Sequence, residues 1–360
     1  SMSNGQPATL LRWIQPLFLI AAGIFIVYLI GNQWGELRAY PWRLDMVWFA
    51  AATGLLLLTW AVEIWIWRFL LQRLGGNLPL SDSARIWFQS AIVRYIPGNV
   101  WQPLSLTFLC HRHGIRAETT MASVIIYQVI TLLGTAPIAG LYFLLESDAN
   151  LHAVLGVIPR WLPAGLSLLP LLIFLINPTW LMHLLNWLLR KVRRDALSST
   201  LTRGTLFSAF LVTVLNWIMW GATFALLAFS LGDYARGQLL ELGLRLTVIY
   251  PVAYAIGFIS FFTPSGFGVR EGALMLFLAP YLPVAVITVI ALAMRLWTMA
   301  GELILAGLAA LWERRIAAAA HTAANAPLHW SAQTSTHSRR LHDKPAHAHG
   351  DAPHTPVDAD

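Results

Sequence analysis

The chain is 360 residues long, 57% hydrophobic and only 11% charged, with a mean hydropathy of +0.62. A soluble chain is about 45–50% apolar, so these values exclude a soluble globular protein and define an α-helical integral membrane protein. The net charge of +7 comes from Lys and Arg beside apolar stretches rather than on an aromatic-rich soluble face, which points to anionic lipid as partner and away from nucleic acid.

Ser1 ahead of Met2 reads as a cloning remnant, and Ile14–Ile30 lacks a small-residue cleavage site, so no removable signal peptide is expected. A helix needs about 20 apolar residues to cross about 30 Å of hydrocarbon. In chain order the pattern predicts six full spans: Ile14–Ile30, Met46–Leu71, Thr119–Leu145, Trp161–Ile176, Thr205–Leu231 and Val284–Trp312. The fourth is short and contains Pro163 and Pro170.

Two further segments fit poorly as spans. Ser83–His111 is broken by IPGN at Ile96–Asn99, and Leu244–Ala279 by TPSGFG at Thr263–Gly268. Arms of about 11–19 residues reach only part of the way through a bilayer, and Pro-Gly breaks favour a turn between helices. Both segments are therefore expected to be re-entrant hairpins, with a single kinked span as the alternative. After Ile316 the composition shifts to Ala, Pro, Ser and Thr with seven of the eleven histidines, the mark of a disordered tail. Those histidines have no helical period or paired carboxylate to fix a metal, and the single Cys110 excludes an intrachain disulfide or a zinc ribbon. No metal and no cofactor is expected.

The positive charges orient the spans. One face collects Arg12, Arg73, Arg85, Arg112, Arg116, Arg190, Lys191, Arg193, Arg194, Arg203, Arg314 and Arg315; the other has Arg38, Arg43, Arg160, Arg236 and Arg245. Both termini are therefore expected in the cytoplasm.

Aligning Pro97 with Pro264 sets an offset of 167 residues, which also carries TLLGTAPIAGL (Thr131–Leu141) onto TMAGELILAGL (Thr298–Leu308) and pairs Gly54 with Gly221. The expected organisation is a cytoplasmic N-terminus (1–13), one repeat at 14–145, a second at 146–312 and a His-rich cytoplasmic tail at 313–360. Each repeat is span, span, hairpin, span. Three crossings per repeat invert the second copy, giving the 3+3 inverted repeat of transporters that hold substrate near the midplane.

Ionisable residues in the predicted membrane zone are Glu63, Arg68, Arg94, Arg270, Glu271, Arg295 and Glu302. Each costs at least about 2.5–3.5 kcal/mol on insertion scales, so such groups normally line a polar cavity. Arg68 is expected to snorkel to the interface. Arg94, Arg270 and Arg295 are expected to converge on one polar cavity, with structural pairing of Arg270 and Glu271 as the alternative, and Glu63, Glu271 and Glu302 are expected to balance the arginines, contact an amine headgroup or carry protons. The breaks at Pro97, Gly98 and Asn99 and at Pro264, Ser265, Gly266 and Gly268 free backbone N–H groups, and the arms starting near Val100 and Val269 aim helix N-termini at the same zone. Arginines plus helix N-termini describe an anion site, best matched by phosphate.

The rival reading is a membrane-embedded transferase acting on a lipid-linked substrate, resting on CHRHG (Cys110–Gly114) with Glu118 nearby. The two residues of a His-x-His pair face apart on a helix. No Gly-rich phosphate loop, nucleophile elbow or HExxH is present, so enzymatic activity is not expected.

RYIPGNVWQ in the first half and TPSGFGVREG in the second resemble the lysylphosphatidylglycerol synthase transmembrane-region family, which includes the flippase domain of multiple-peptide-resistance proteins and stand-alone flippase-like proteins. The likeness spans roughly Ile14 to Trp312 and matches the family at Pro97, Gly98, Pro264, Gly266, Gly268, Arg270 and Glu271. It implies a flippase moving a phospholipid, such as an aminoacylated phosphatidylglycerol, across the cytoplasmic membrane. The chain departs from the family in two ways. No soluble aminoacyl-transferase domain follows, so synthesis is not expected, and Tyr127-Gln128 stands where a charged Glu-Arg pair is associated with the family.

Overall fold

The computed structural model describes residues 34–95, 101–191, 201–260 and 266–324, with isolated positions at 24, 27, 28, 31 and 32. The predicted first span, Ile14–Ile30, falls almost wholly outside the described residues. The chain divides into two units, Ser1–Trp312 and Glu313–Asp360, and the architecture below is that of the first.

The described helices are α1 (Trp34–Ala39), α2 (Met46–Arg73), α3 (Leu80–Ala91), α4 (Trp101–His111), α5 (Ala117–Leu145), α6 (Asp148–Leu155), α7 (Trp161–Ile176), α8 (Trp180–Lys191), α9 (Arg203–Ser230), α10 (Leu239–Ile259), α11 (Val269–Leu278) and α12 (Val284–Ala324). A 3₁₀ turn, Ile92–Tyr95, extends α3. Five of them (α2, α5, α9, α10 and α12) are long and apolar enough to cross a membrane, and α7 with α8 forms a pair bent by 94°. The molecule is an all-α, multi-pass membrane protein.

Local chemistry sets the helix ends. Asp45 caps α2 by accepting from the Val47 and Trp48 N–H groups at 2.9 and 3.3 Å, and Thr202 caps α9 by accepting from Thr205 N–H at 3.2 Å. Arg68, expected to snorkel, donates from Nε to the carbonyl of Leu78 at 2.8 Å, fastening the end of α2 to the strap that leads into α3.

Two boundaries differ from expectation. The arm before the second break is α10, at 21 residues, with Pro251 inside it. At 1.5 Å per residue this is about 31 Å, a membrane crossing in length. Proline has no N–H to give the carbonyl four residues earlier, here Thr247. At that carbonyl Gly221 of α9 packs closely, since an added Cβ would lie 1.9 Å from Thr247 O. The second difference is α12, which stays helical to Ala324, into the segment expected to be disordered. The Ala-rich run after Ile316 explains it, since alanine is the strongest helix former. Residues 325–360 lie outside the described residues.

Within the first unit α2 packs along α9, α9 along α10, α10 along α11, and α5 against α7. Small residues permit these close crossings. A Cβ on Gly134 of α5 would meet Thr213 of α9 at 2.8 Å, and one on Gly301 of α12 would meet Trp60 of α2 at 2.7 Å. The core has two apolar clusters: one around Trp67, Ile126, Phe174 and Leu206, the other around Phe224, Ile249, Leu278 and Ile287. On α7 the exposed face is Leu166, Leu169, Leu172, Ile173 and Ile176, as expected for a surface solvated by lipid chains.

A polar knot sits at the end of α5. The Glu146 side chain, fully shielded from solvent, is ion-paired with Arg245 of α10 and accepts from Asn150 Nδ2 at 3.0 Å and Ser147 N–H at 2.9 Å. Asn150 also donates to Tyr281 Oη at 3.0 Å, and the Arg245 guanidinium lies 5.1 Å from the Tyr281 ring centroid. Burial pushes the Glu146 carboxyl up, but hydrogen bonds from Asn150, Ser147 and Tyr281 and the Arg245 charge outweigh it and hold it below its usual value.

Candidate functional site

The helices around the second break line a partly open cavity of about 240 Å³. Its wall contains Arg270 from α11, Arg295, Thr298 and Glu302 from α12, Glu63 from α2, Gln128 and Thr131 from α5, and Gly266 ahead of α11. Trp87, Trp217, Trp220, Tyr250 and Tyr254 supply aromatic surface. Sequence reasoning named Glu63, Arg270, Arg295 and Glu302, and the structure brings these four to one cavity. The Arg94 side chain and the break residues Pro97, Gly98, Asn99, Pro264 and Ser265 lie outside the described residues.

Glu271 holds the arginines in place. Its side chain is 1% exposed, and Oε1 accepts from Arg295 Nη1 at 2.9 Å and Arg270 Nη2 at 3.4 Å. Its other oxygen accepts from Gly268 N–H at 2.7 Å, capping α11 with its own third residue. Gly266 and Gly268 have φ of +67° and +83°, the left-handed region that glycine enters without cost. Gly257 completes the fit, since a Cβ there would lie 2.9 Å from Arg270 Cβ. The broken segment thus delivers Arg270 to the cavity wall beside Arg295 of α12, and one carboxylate fixes both guanidinium groups. Arg295 also lies over the Phe267 ring, 4.7 Å from its centroid.

Elsewhere in the wall, Glu63 Oε1 accepts from Trp220 Nε1 at 2.8 Å. Arg295 and Glu302 share α12 seven residues apart, about 10 Å along the axis. Two arginines and three carboxylates (Glu63, Glu271, Glu302) give the described charges a formal excess of one negative, unlike a basin of arginines alone. Among the described residues, Arg270 Nε and Thr131 Oγ1 are buried without a hydrogen-bond partner. Leaving such a group unsatisfied costs about 1–3 kcal/mol, and both belong to the cavity wall, where a polar guest would satisfy them.

Four lining pairs stand 167 positions apart: Trp87 and Tyr254, Pro103 and Arg270, Gln128 and Arg295, Thr131 and Thr298. The second half contributes the charged member of two of these pairs and the first half a neutral one. Sequence reasoning missed Gln128, Trp217, Trp220, Tyr250 and Tyr254 as wall residues. The offset pointed to Gln128 through Arg295, whereas an aromatic in an apolar helix looks the same whether it faces lipid, core or cavity.

The CHRHG run does not form a site: Cys110 is fully buried, while His111 and His113 are exposed. His113 Nδ1 lies 4.0 Å from Asp82 Oδ2, a carboxylate paired with Arg85. Among the described residues, no group of three or more His, Cys, Asp or Glu is placed to hold a metal ion.

No curated protein and no solved structure matches the chain. The profile of the lysylphosphatidylglycerol synthase TM region family, however, matches residues 14–306, and by this match over most of its length the chain belongs to that family.

Proposed function

We propose that the protein is a lipid transporter of flippase type, moving the headgroup of a phosphate-containing polar lipid through the cavity while the acyl chains stay in the bilayer. The observation that carries this reading is the pair Arg270 and Arg295, fixed by Glu271 in the wall of a cavity that also holds Glu63 and Glu302. Paired guanidinium groups suit a phosphate, whose oxygens accept several donors at once. Glu63 and Glu302 then face the amine of an aminoacylated or otherwise zwitterionic headgroup, with the aromatic wall adding cation–π attraction. Family membership supports a role in membrane lipid handling.

The same reading makes the two halves inverted copies built around the two breaks, the first between the short α3 and α4 and the second between α10, which has the length of a crossing, and the short α11. Ala117 and Val284, which open α5 and α12, are 167 positions apart, as are the four lining pairs, and this supports the repeat. Rocking of the halves about the cavity would expose it to each side in turn. Both termini are then cytoplasmic and the membrane is the inner one.

The test is headgroup crossing in vesicles of purified protein, with labelled phosphatidylglycerol and aminoacylated phosphatidylglycerol run separately. Crossing well above protein-free vesicles for at least one lipid is expected. Crossing at the protein-free rate for both, with insertion verified, contradicts the reading.

A further inference from the structure

α8 leaves the axis of α7 at 94°, so if α7 follows the membrane normal, α8 lies in the membrane plane. Its faces are sharply divided. Leu181, Met182, Leu185 and Leu189 are buried against the core, while His183, Leu184, Trp187, Arg190 and Lys191 are exposed. At 100° per residue the exposed side chains fall within one arc of about 120° opposite the buried set. Trp187 lies in the interior of that arc, with Arg190 toward one edge and Lys191 toward the other. Lys191 Nζ stands 5.1 Å from the Trp187 ring centroid. The change from α7 is abrupt, because that helix carries no charged residue.

We propose that this face of α8 is a docking site for the headgroups of acidic phospholipids, separate from the cavity. The argument is charge complementarity at a defined depth. A tryptophan ring settles at headgroup level, and cations on either side of it meet the phosphates of an anionic leaflet. Leu184, at the edge of the arc, enters the acyl boundary. The site takes lipid as a surface solvent rather than as cargo, and it rests on no assumption about what the cavity holds.

The test uses the full chain in detergent, titrated with short-chain phosphatidylglycerol or phosphatidylcholine, with retained lipid counted by native mass spectrometry. The double variant Arg190→Gln/Lys191→Gln is compared with the parent and with Arg270→Ala, which alters only the cavity. Each interfacial cation contributes enough that losing both weakens phosphatidylglycerol retention about 30-fold, with a shallower salt dependence. The cavity variant should keep this α8 component. Both α8 side chains are exposed, so circular dichroism should show the double variant folded. In parallel, a nitroxide at Leu184→Cys, in a Cys110→Ser background, should sit deeper in phosphatidylglycerol vesicles than in phosphatidylcholine vesicles. The proposal is overturned if the double variant retains phosphatidylglycerol like the parent, if both lipids bind the parent equally, or if the nitroxide depth is the same in both vesicles.

Discussion

Arg295 Nη1 donates to Glu271 Oε1 at 2.9 Å, and Arg270 Nη2 approaches the same oxygen at 3.4 Å. One carboxylate thus fixes two cations delivered by different helices, and its second oxygen caps the helix that carries it. Charge placement and backbone geometry at the second break are a single construction. The following predictions test its parts.

Glu271→Gln keeps an acceptor for Gly268 N–H but removes the charge that balances the guanidinium pair. Breaking a buried ion pair from one side costs about 3–5 kcal/mol, so thermal unfolding in detergent should shift down strongly and transport should fall with it. Glu271→Ala, which also loses the cap, should be worse. Parent-like melting of Glu271→Gln would show that the arginines are held by other groups.

The glycines separate packing from pseudo-symmetry. Gly221→Ala forces a Cβ to 1.9 Å from Thr247 O, a backbone atom that cannot swing away, and should sharply lower the yield of folded protein. Gly54→Ala, at the position 167 residues earlier, meets nothing within 4 Å and should melt at or slightly above the parent. Gly257→Ala, pressing on Arg270 Cβ, should reduce transport more than stability. Equal melting temperatures for Gly221→Ala and Gly54→Ala would refute the packing account.

Much of this was legible in the sequence, for identifiable reasons. Trp161–Ile176 and the start of α12 at Val284 follow from apolar length between polar flanks. Arg270 and Arg295 stood out because a charge in an apolar run is costly. The close packing of α10 at Thr247 was hidden, because it depends on Gly221 of another helix. The bond from Trp220 to Glu63 spans 157 positions and has no local signature. The role of Arg68 turns on the carbonyl of Leu78, a backbone group whose direction no residue type encodes.

Glu146 makes stability depend on pH. Its carboxyl is held below the usual value of 4.5 in the folded state, so the stabilisation is complete above that value and is lost as pH falls through the lower folded one. Melting temperature measured from pH 7 downward should therefore drop in the acid range, and Glu146→Gln should melt lower at pH 7 with a flatter acid limb. An acid limb equally steep in Glu146→Gln would assign the effect to other carboxylates.

Cys110 is the only thiol in the chain and is fully buried, so membrane-impermeant maleimide should leave it unmodified from either side until the protein is denatured. Topology is better read at exposed positions in a Cys110→Ser background. Arg112→Cys should label from the cytoplasm, and Ser147→Cys and Pro280→Cys from outside. Labelling of Pro280→Cys from the cytoplasm would rule out the inverted arrangement.

The central claim, that Arg270 and Arg295 form the anion end of a transport site, is tested most directly by headgroup crossing rates of Arg270→Ala and Arg295→Ala in vesicles at matched insertion. A hydrogen bond to a charged group contributes about 1.5–3 kcal/mol, so each variant should lose roughly ten- to over a hundredfold in substrate binding and most of its transport. Arg270→Lys should recover only part, because a point charge cannot reproduce the planar fork. The control is Arg73→Ala, at an exposed arginine beside Phe69, which should cross lipid at the parent rate. If Arg270→Ala and Arg295→Ala both transport like the parent while folded, the cavity arginines are structural partners of Glu271 and the anion site is refuted.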